Sequence, residues 1–464
     1  MNDYFCLNEN KSIKDAFFIF NKAFGCILCV EDKKKKLVGV LTEGDLRRAI
    51  LKGFSIKEKL KKIINNEYTF VYFHELQNKK FLKSNFNAKN LNVSINFIPI
   101  LNNYNKVIKV LPTTKIIEIL EEKNKYKKTT LKPNILIVGG AGYIGTTLAK
   151  KLLNKNYKVT ILDKLIYDKS VFSFFKKNKN LKFIKGDICD LNVQINCIRD
   201  VDIVVFLAEI VGDPACNAKP EDALKTNYLA VSSFSHLCSL LNINKFIYTS
   251  SCSVYGLDKK NNLLNEQSSL NPVSHYARIK IMSEKALLSI KNQNFSPTIL
   301  RLGTVFGPSV RERFDLVVNT FAKFAYFNKK IDIHGGDQWR PNICVEDVAD
   351  GIIAVIKSPK SKVSNKIFNL SAESLNYRIK DIAKIVKKKF KSIEINYSNS
   401  QSDPRNYRVS CKKFELATNF KAKKTIEYAY DLFLKKFKSK SIKNPNLKKY
   451  SNIATIKFFS DKNV

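Results

Sequence analysis

At 464 residues the chain is long enough for two or three domains, and its 44% hydrophobic and 26% charged content excludes a disordered or low-complexity polypeptide. The formal charge of +40 is extreme, but the excess is nearly all lysine, spread along the chain among Asn and Ile, and no nucleic-acid-binding motif accompanies it. No stretch reaches the roughly 18 apolar residues of a membrane span and no basic-then-apolar leader opens the chain, so a cytoplasmic protein is expected, with neither a membrane nor a nucleic acid as partner.

The ten cysteines are scattered through predicted strands and helices and do not read as a disulfide framework. Cys26 and Cys29 form a C-x-x-C, but no second pair or nearby His completes a zinc site, so no metal is expected and core packing is the reading there.

Residues 1–121 look like one module. Ile13–Phe20 is helix-like, Gly25–Val30 a short apolar strand, Lys33–Lys36 a charged turn and Leu37–Leu41 a second strand. Thr42 is then a sensible N-cap for a helix, with Asp45 three residues later. A weaker echo follows: a strand at 96–100, an Asn102-Asn103 turn, a strand at 107–111 and a helix from about Thr113. This half resembles a CBS-domain pair, an α+β module that binds adenosine nucleotides, and its best motif is Gly39-Val-Leu-Thr-Glu-Gly-Asp-Leu-Arg-Arg48. The resemblance implies that Thr42 and Asp45 meet the phosphate and ribose of such a nucleotide. Pro112 and Lys115 stand at the matching places of the second repeat, so at most one adenosine site is expected. A purely structural or dimerising module is the equal alternative.

Residues 122–133 are charged, end in Thr-Thr-Leu-Lys-Pro and read as a linker. From 134 to about 440, apolar runs at 135–138, 159–162, 203–207, 246–249 and 298–302 are separated by longer, more polar helical stretches. That pattern predicts an α/β, doubly wound parallel sheet of Rossmann type with a small substrate-binding C-terminal region. The Lys/Asn-rich tail, 441–464, is expected to be poorly ordered at first, with Ile453–Phe459 as an added edge strand.

The first of these runs leads straight into Gly139-Gly-Ala-Gly142-Tyr143-Ile144-Gly145, and a helix follows. Between a strand and a helix, such glycines allow a tight turn and close backbone approach to a dinucleotide, with the helix N-terminus facing its pyrophosphate. The next strand ends at Asp163, 18 residues past Gly145. Its carboxylate can accept both adenosine-ribose hydroxyls and would repel a 2′-phosphate, which favours NAD over NADP; the neighbouring Lys164 softens that preference. Asp187 and Ile188, after a third strand, are expected to border the adenine. Leu207 and Ala208, after a fourth, are expected near the nicotinamide half, and Asn227 is expected to brace that strand.

Phe246–Thr249 should deliver Ser250 and Ser251 to the C-terminal edge of the sheet, where open α/β folds bind ligands. Tyr276 and Lys280 share a helix face at i and i+4. Lys280 can hold the nicotinamide ribose and lower the Tyr276 pKa by its charge, making the phenol a usable base despite an ordinary pKa of about 10. Ser251 would orient the substrate oxygen.

Together with Tyr248-Thr-Ser-Ser-Cys-Ser-Val-Tyr-Gly256 and Leu300-Arg-Leu-Gly-Thr-Val-Phe-Gly-Pro308, these residues resemble an extended short-chain dehydrogenase/reductase of the NAD-dependent nucleotide-sugar epimerase/dehydratase family. The resemblance implies transient oxidation of a sugar hydroxyl, commonly at C4, with Ser251, Tyr276 and Lys280 as the catalytic set. Family members that dehydrate or decarboxylate carry acidic residues just after the catalytic Ser or Thr. This chain has Cys252 and Ser253, which leaves C4 epimerisation, or a one-way oxidation or reduction there. Thr304, Arg313, Arg340 and Arg405 are the substrate-side candidates beside Ser251; Arg340 and Arg405 are the preferred diphosphate ligands, and Arg311 is a further loop Arg. Phe206, Glu209 and Cys344 depart from the family pattern, and Glu209 is an odd neighbour for a nicotinamide. A homo-oligomer is expected. The rival of another class is a non-catalytic regulatory protein that senses nucleotides.

Overall fold

The computed structural model describes residues 5–22, 27–77, 97–112, 132–175, 178–243, 245–290, 292, 295–398 and 403–460. The chain divides into two units, Met1–Thr130 and Leu131–Val464. Cys26, the helix from Thr113 and nearly all of the 122–133 linker lie outside the described residues.

The first unit holds two three-stranded sheets with one pairing scheme. Phe5–Asn8 runs parallel to Leu28–Glu31, which is antiparallel to Leu37–Leu41; Val71–Tyr72 runs parallel to Phe97–Leu101, which is antiparallel to Val107–Pro112. Cys29 is buried in the first sheet beside Cys6. Thr42 caps the helix Glu43–Leu51 as expected: its hydroxyl accepts from the Asp45 amide at 3.2 Å, and its own amide donates to Asp45 Oδ2 at 2.7 Å. Arg48 pairs with Asp45 at 2.7 Å. The same box recurs between Ser12 and Asp15 at the start of the helix Ile13–Lys22. Capping therefore accounts for both Thr42 and Asp45 within their own helix.

The second unit is built on seven parallel strands in the spatial order Lys366–Leu370, Pro297–Leu302, Lys245–Ser251, Ile203–Phe206, Ile135–Val138, Val159–Asp163 and Leu181–Lys185. Alternate side chains feed two separate cores. Ile135, Ile137, Ile161, Val205 and Ile247 pack on one face, and Leu136, Val138, Leu162, Val204 and Phe246 on the other. A strand buried on both sides must be apolar throughout, which is why these elements read as continuous runs. Lys366–Leu370 escapes that pattern because its buried Asn369 interrupts the run and bonds Tyr255 and the Ser410 carbonyl. The chain order reverses between Ile135–Val138 and Ile203–Phe206. A crevice opens there at the carboxyl ends of the strands.

The tail departs from expectation. Asn452–Ser460 is a helix, not an edge strand, and Ile442, Asn452, Thr455 and Ile456 of the tail are buried. Asn452, Thr455 and Ile456 are buried at i, i+3 and i+4, one helical face. Asp315 accepts the Asn452 amide at 2.7 Å, satisfying a donor of the first turn, and Ile456 joins Ile210, Cys216, Tyr276 and Ile279. The short apolar stretch suggested a strand; the surface it packs on selects a helix. Deleting 441–464 removes the buried Ile442 and Ile456 and is expected to lower unfolding stability by about 3 kcal/mol or more. A denaturant midpoint equal to that of the full chain would show the tail to be a mere appendage.

Candidate active site

Gly139 ends the central strand with φ of +82°, and a Cβ there would lie 2.6 Å from the Ala208 amide nitrogen. A Cβ on Gly145 would lie 2.6 Å from the Gly139 carbonyl oxygen. The loop is thus folded so tightly on itself and on the next strand end that only glycine fits at either position. The helix Tyr143–Asn154 starts directly from it. Tyr143 turns its side chain away: its hydroxyl donates to the Gly307 carbonyl and accepts from Asn319 Nδ2 at 3.1 Å. Its contribution to the loop is therefore backbone, with the phenol tying the loop to the Leu300–Pro308 segment.

A cavity of about 820 Å³ extends from this loop along the carboxyl edge of the sheet. Its lining includes every second-unit residue expected to bind cofactor or substrate or to act in catalysis: Gly139, Gly142, Tyr143, Ile144, Gly145, Asp163, Asp187, Ile188, Leu207, Ala208, Ser251, Tyr276, Lys280, Thr304, Arg313, Arg340 and Arg405. Phe206, Cys252 and Cys344 face elsewhere. Phe206 stacks among Phe234, Phe246 and Tyr248. Cys252 Sγ donates to the Arg301 carbonyl at 3.2 Å, and burial pushes its thiol well up. Burial likewise pushes the Cys344 thiol up to about 12. All three are packing residues.

At the cofactor end, Asp163 accepts the Ala141 amide at 2.9 Å and the Leu165 amide at 2.7 Å. Burial raises its carboxyl pKa against those bonds. Lys164, which lines the same cavity, pairs with Asp187 at 2.7 Å. Asn227 braces the loop after the fourth strand from both sides, accepting the Ile210 amide and donating to the Ile210 carbonyl, each at 2.9 Å.

At the reacting end, Ser251 closes its strand and its Oγ accepts the Ser253 amide at 3.1 Å. The helix His275–Ser289, capped by Ser274, carries Tyr276 and Lys280, which are 7% and 1% exposed. Glu209 explains itself here. Lys280 Nζ donates to Glu209 Oε2 and to the Thr249 carbonyl, and the Tyr248 hydroxyl donates to Glu209 Oε1 at 2.8 Å. A fully buried ammonium needs such a partner; removing one side of a buried pair typically costs about 3–5 kcal/mol. The consequence for Tyr276 corrects the expectation from sequence. Lys280 sits 5.5 Å from the Tyr276 ring, but its charge is matched. Burial first, then Glu209, Cys216 and Asp213, push the phenol well above its ordinary value, and only Arg313 opposes them. Burial above all, with the negative charge of Glu209, disfavours the Tyr276 phenolate.

Arg340 and Arg405, the preferred diphosphate candidates, both line the cavity and are paired within the protein. Arg340 pairs with Asp403 at 2.9 Å, while Arg405 pairs with Asp403 and, at 3.1 Å, with Asp213. Two guanidinium groups meet two carboxylates, so this corner of the cavity carries no surplus positive charge. Arg313 is likewise paired, with Asp315 at 2.9 Å. Sequence reasoning missed Tyr248 as the second partner of Glu209. No local motif signals it, because the contact spans 39 residues.

The profile of the NAD dependent epimerase/dehydratase family matches residues 135–371, more than half of the chain. The chain belongs to that family. A CBS domain matches residues 1–52. A dTDP-D-glucose 4,6-dehydratase of Dictyostelium discoideum is 30% identical over 257 residues, which span 52% of this chain and 58% of that protein. A UDP-glucose 4-epimerase of Lactobacillus helveticus is 27% identical over 51% of this chain and 76% of its own length. Among solved structures, the UDP-glucuronic acid 4-epimerase of Bacillus cereus in complex with UDP-glucuronic acid and NAD is 25% identical, with a TM-score of 0.59 over 65% of this chain and 99% of that one. The family's cofactor is NAD, and the glycine cradle that no Cβ can enter, with Asp163 beyond it, fits that dinucleotide. Among the described residues no helix is long and apolar enough to cross a membrane.

Proposed function

We propose that the chain is an NAD-dependent nucleotide-sugar epimerase acting at C4. The observation that carries this reading is the convergence of Ser251, Tyr276 and Lys280 on one cavity with the glycine loop. NAD held along the glycine loop and by Lys280 would supply a hydride acceptor and a positive charge, and that charge would lower the Tyr276 pKa against burial and Glu209. Ser251 Oγ holds the C4 oxygen, and Tyr276 takes its proton as hydride leaves the carbon. The keto sugar turns over and receives hydride on its other face, and Tyr276 returns the proton. Of the residues directly after Ser251 only Ser253 lines the cavity, with Cys252 turned to Arg301, and neither carries the acid that dehydratases and decarboxylases of this family have at those positions. The UDP-sugar 4-epimerases among its relatives support a nucleotide diphosphate sugar as substrate.

The test is to incubate the full-length protein and NAD with a panel of nucleotide sugars and to read products by NMR. An epimer with no net NADH is expected. A ketone accumulating with NADH would replace epimerisation by one-way oxidation, and no turnover with NAD still bound would favour the regulatory reading. A homo-oligomer and an adenosine nucleotide at Thr42 and Asp45 belong to the same proposal, although the capping role of those two residues weakens the second.

A further inference from the structure

Arg311 differs from the other arginines of the cavity. It is 2% exposed, yet it has no ion-pair partner among the described residues. Its Nη2 donates to two uncharged oxygens of the tail, Asn452 Oδ1 at 2.7 Å and the Lys449 carbonyl at 3.3 Å, and its Nε is buried with no hydrogen-bond partner. The guanidinium carbon lies 4.2 Å from the Tyr167 ring centroid, and the Tyr167 hydroxyl is also buried without a partner. Both residues line the cavity, and two adjacent donors without a hydrogen-bond partner among the described residues call for an acceptor. Burial and the neighbouring Arg313 push the Arg311 pKa down to about 10, the direction of a cation short of negative charge.

Position identifies the anion. Tyr167 lies four residues after Asp163, at the adenosine-ribose end, and Ser309, two residues before Arg311, donates to the Tyr143 carbonyl at 2.7 Å in the first turn of the glycine-loop helix. The pair therefore stands between the two ends of an extended dinucleotide, where its diphosphate must lie.

We propose that Arg311 and Tyr167 grip the diphosphate of NAD beside the helix N-terminus, with Asn452 of the C-terminal helix holding the guanidinium in place. The chemistry is that of any diphosphate, so the nucleotide sugar is the competing source. The proposal rests on the cofactor reading above. It is tested by titrating NAD, and separately UDP, into nucleotide-free full-length protein by calorimetry.

Arg311→Gln is expected to weaken NAD binding by about 10- to 100-fold and to leave UDP binding unchanged. Tyr167→Phe removes only a hydroxyl that has no hydrogen-bond partner among the described residues. Its melting temperature should not fall, while NAD binding weakens by about threefold to tenfold. Should Arg311→Gln fail to fold, Tyr167→Phe decides alone. NAD affinity within twofold of wild type in the folded variants, or a loss confined to UDP, overturns the proposal. If the unaltered protein itself does not bind NAD, the cofactor reading falls as well.

Discussion

Tyr276→Phe is expected to lower turnover by about 10²- to 10⁴-fold, the range of a positioned general acid–base, while NAD affinity changes by less than about threefold. The substitution keeps the ring, which packs with Ile210, Ala215, Cys216 and Ile279, and removes only the oxygen. A loss of folding is therefore not part of the expectation. Because the step removed is made only in the transition state, kcat and kcat/KM should fall together. Turnover near that of the unaltered enzyme would dismiss Tyr276 as the base, and with it the proposed chemistry.

The second large effect is on pH. A base must be deprotonated to act, so the rate falls as pH drops below the Tyr276 pKa. Glu209 raises that pKa, and burial, Cys216 and Asp213 act in the same direction, whereas Arg313 lowers it. Glu209→Gln removes one negative charge but keeps an acceptor for Lys280 and a partner for the Tyr248 hydroxyl. The phenolate then becomes easier to form, and the acid limb of the kcat profile should move to lower pH by on the order of 1–2 units. Lys280 sets the condition for this shift. Burial lowers its pKa and Glu209 raises it, so the buried ammonium depends on that carboxylate. An unmoved acid limb would mean that Lys280 loses its proton along with Glu209, and that the pair acts as one neutral unit with no hold on Tyr276. A kcat/KM measured across the same range separates a change in the free enzyme from one in the substrate complex.

Much of the second unit was legible because its signals are local. The run Ile135–Val138, the glycines after it and the i, i+4 spacing of Tyr276 and Lys280 each lie within one element or one turn. Backbone geometry alone turns them into a strand, a cradle and a shared helix face. The unexpected findings all depend on partners far off in the chain. Glu209 looked misplaced until Lys280, 71 residues away, met it. Arg340 looked free until Asp403 arrived beside it. The tail looked like a loose strand, yet Arg311, 141 residues earlier, binds its Asn452, and its helix packs near Tyr276.

By itself the chain's sequence determined the parallel sheet, the dinucleotide loop and the order of the reactive residues, since steric and hydrophobic periodicities need only neighbours a few positions apart. The tertiary structure alone decided which charges are paired: Lys280 with Glu209, and Arg340 and Arg405 with Asp403 and Asp213, whereas Arg311 has no ion pair among the described residues. A charge is set by whatever stands within a few ångströms of it, and in a folded chain those neighbours come from anywhere along its length.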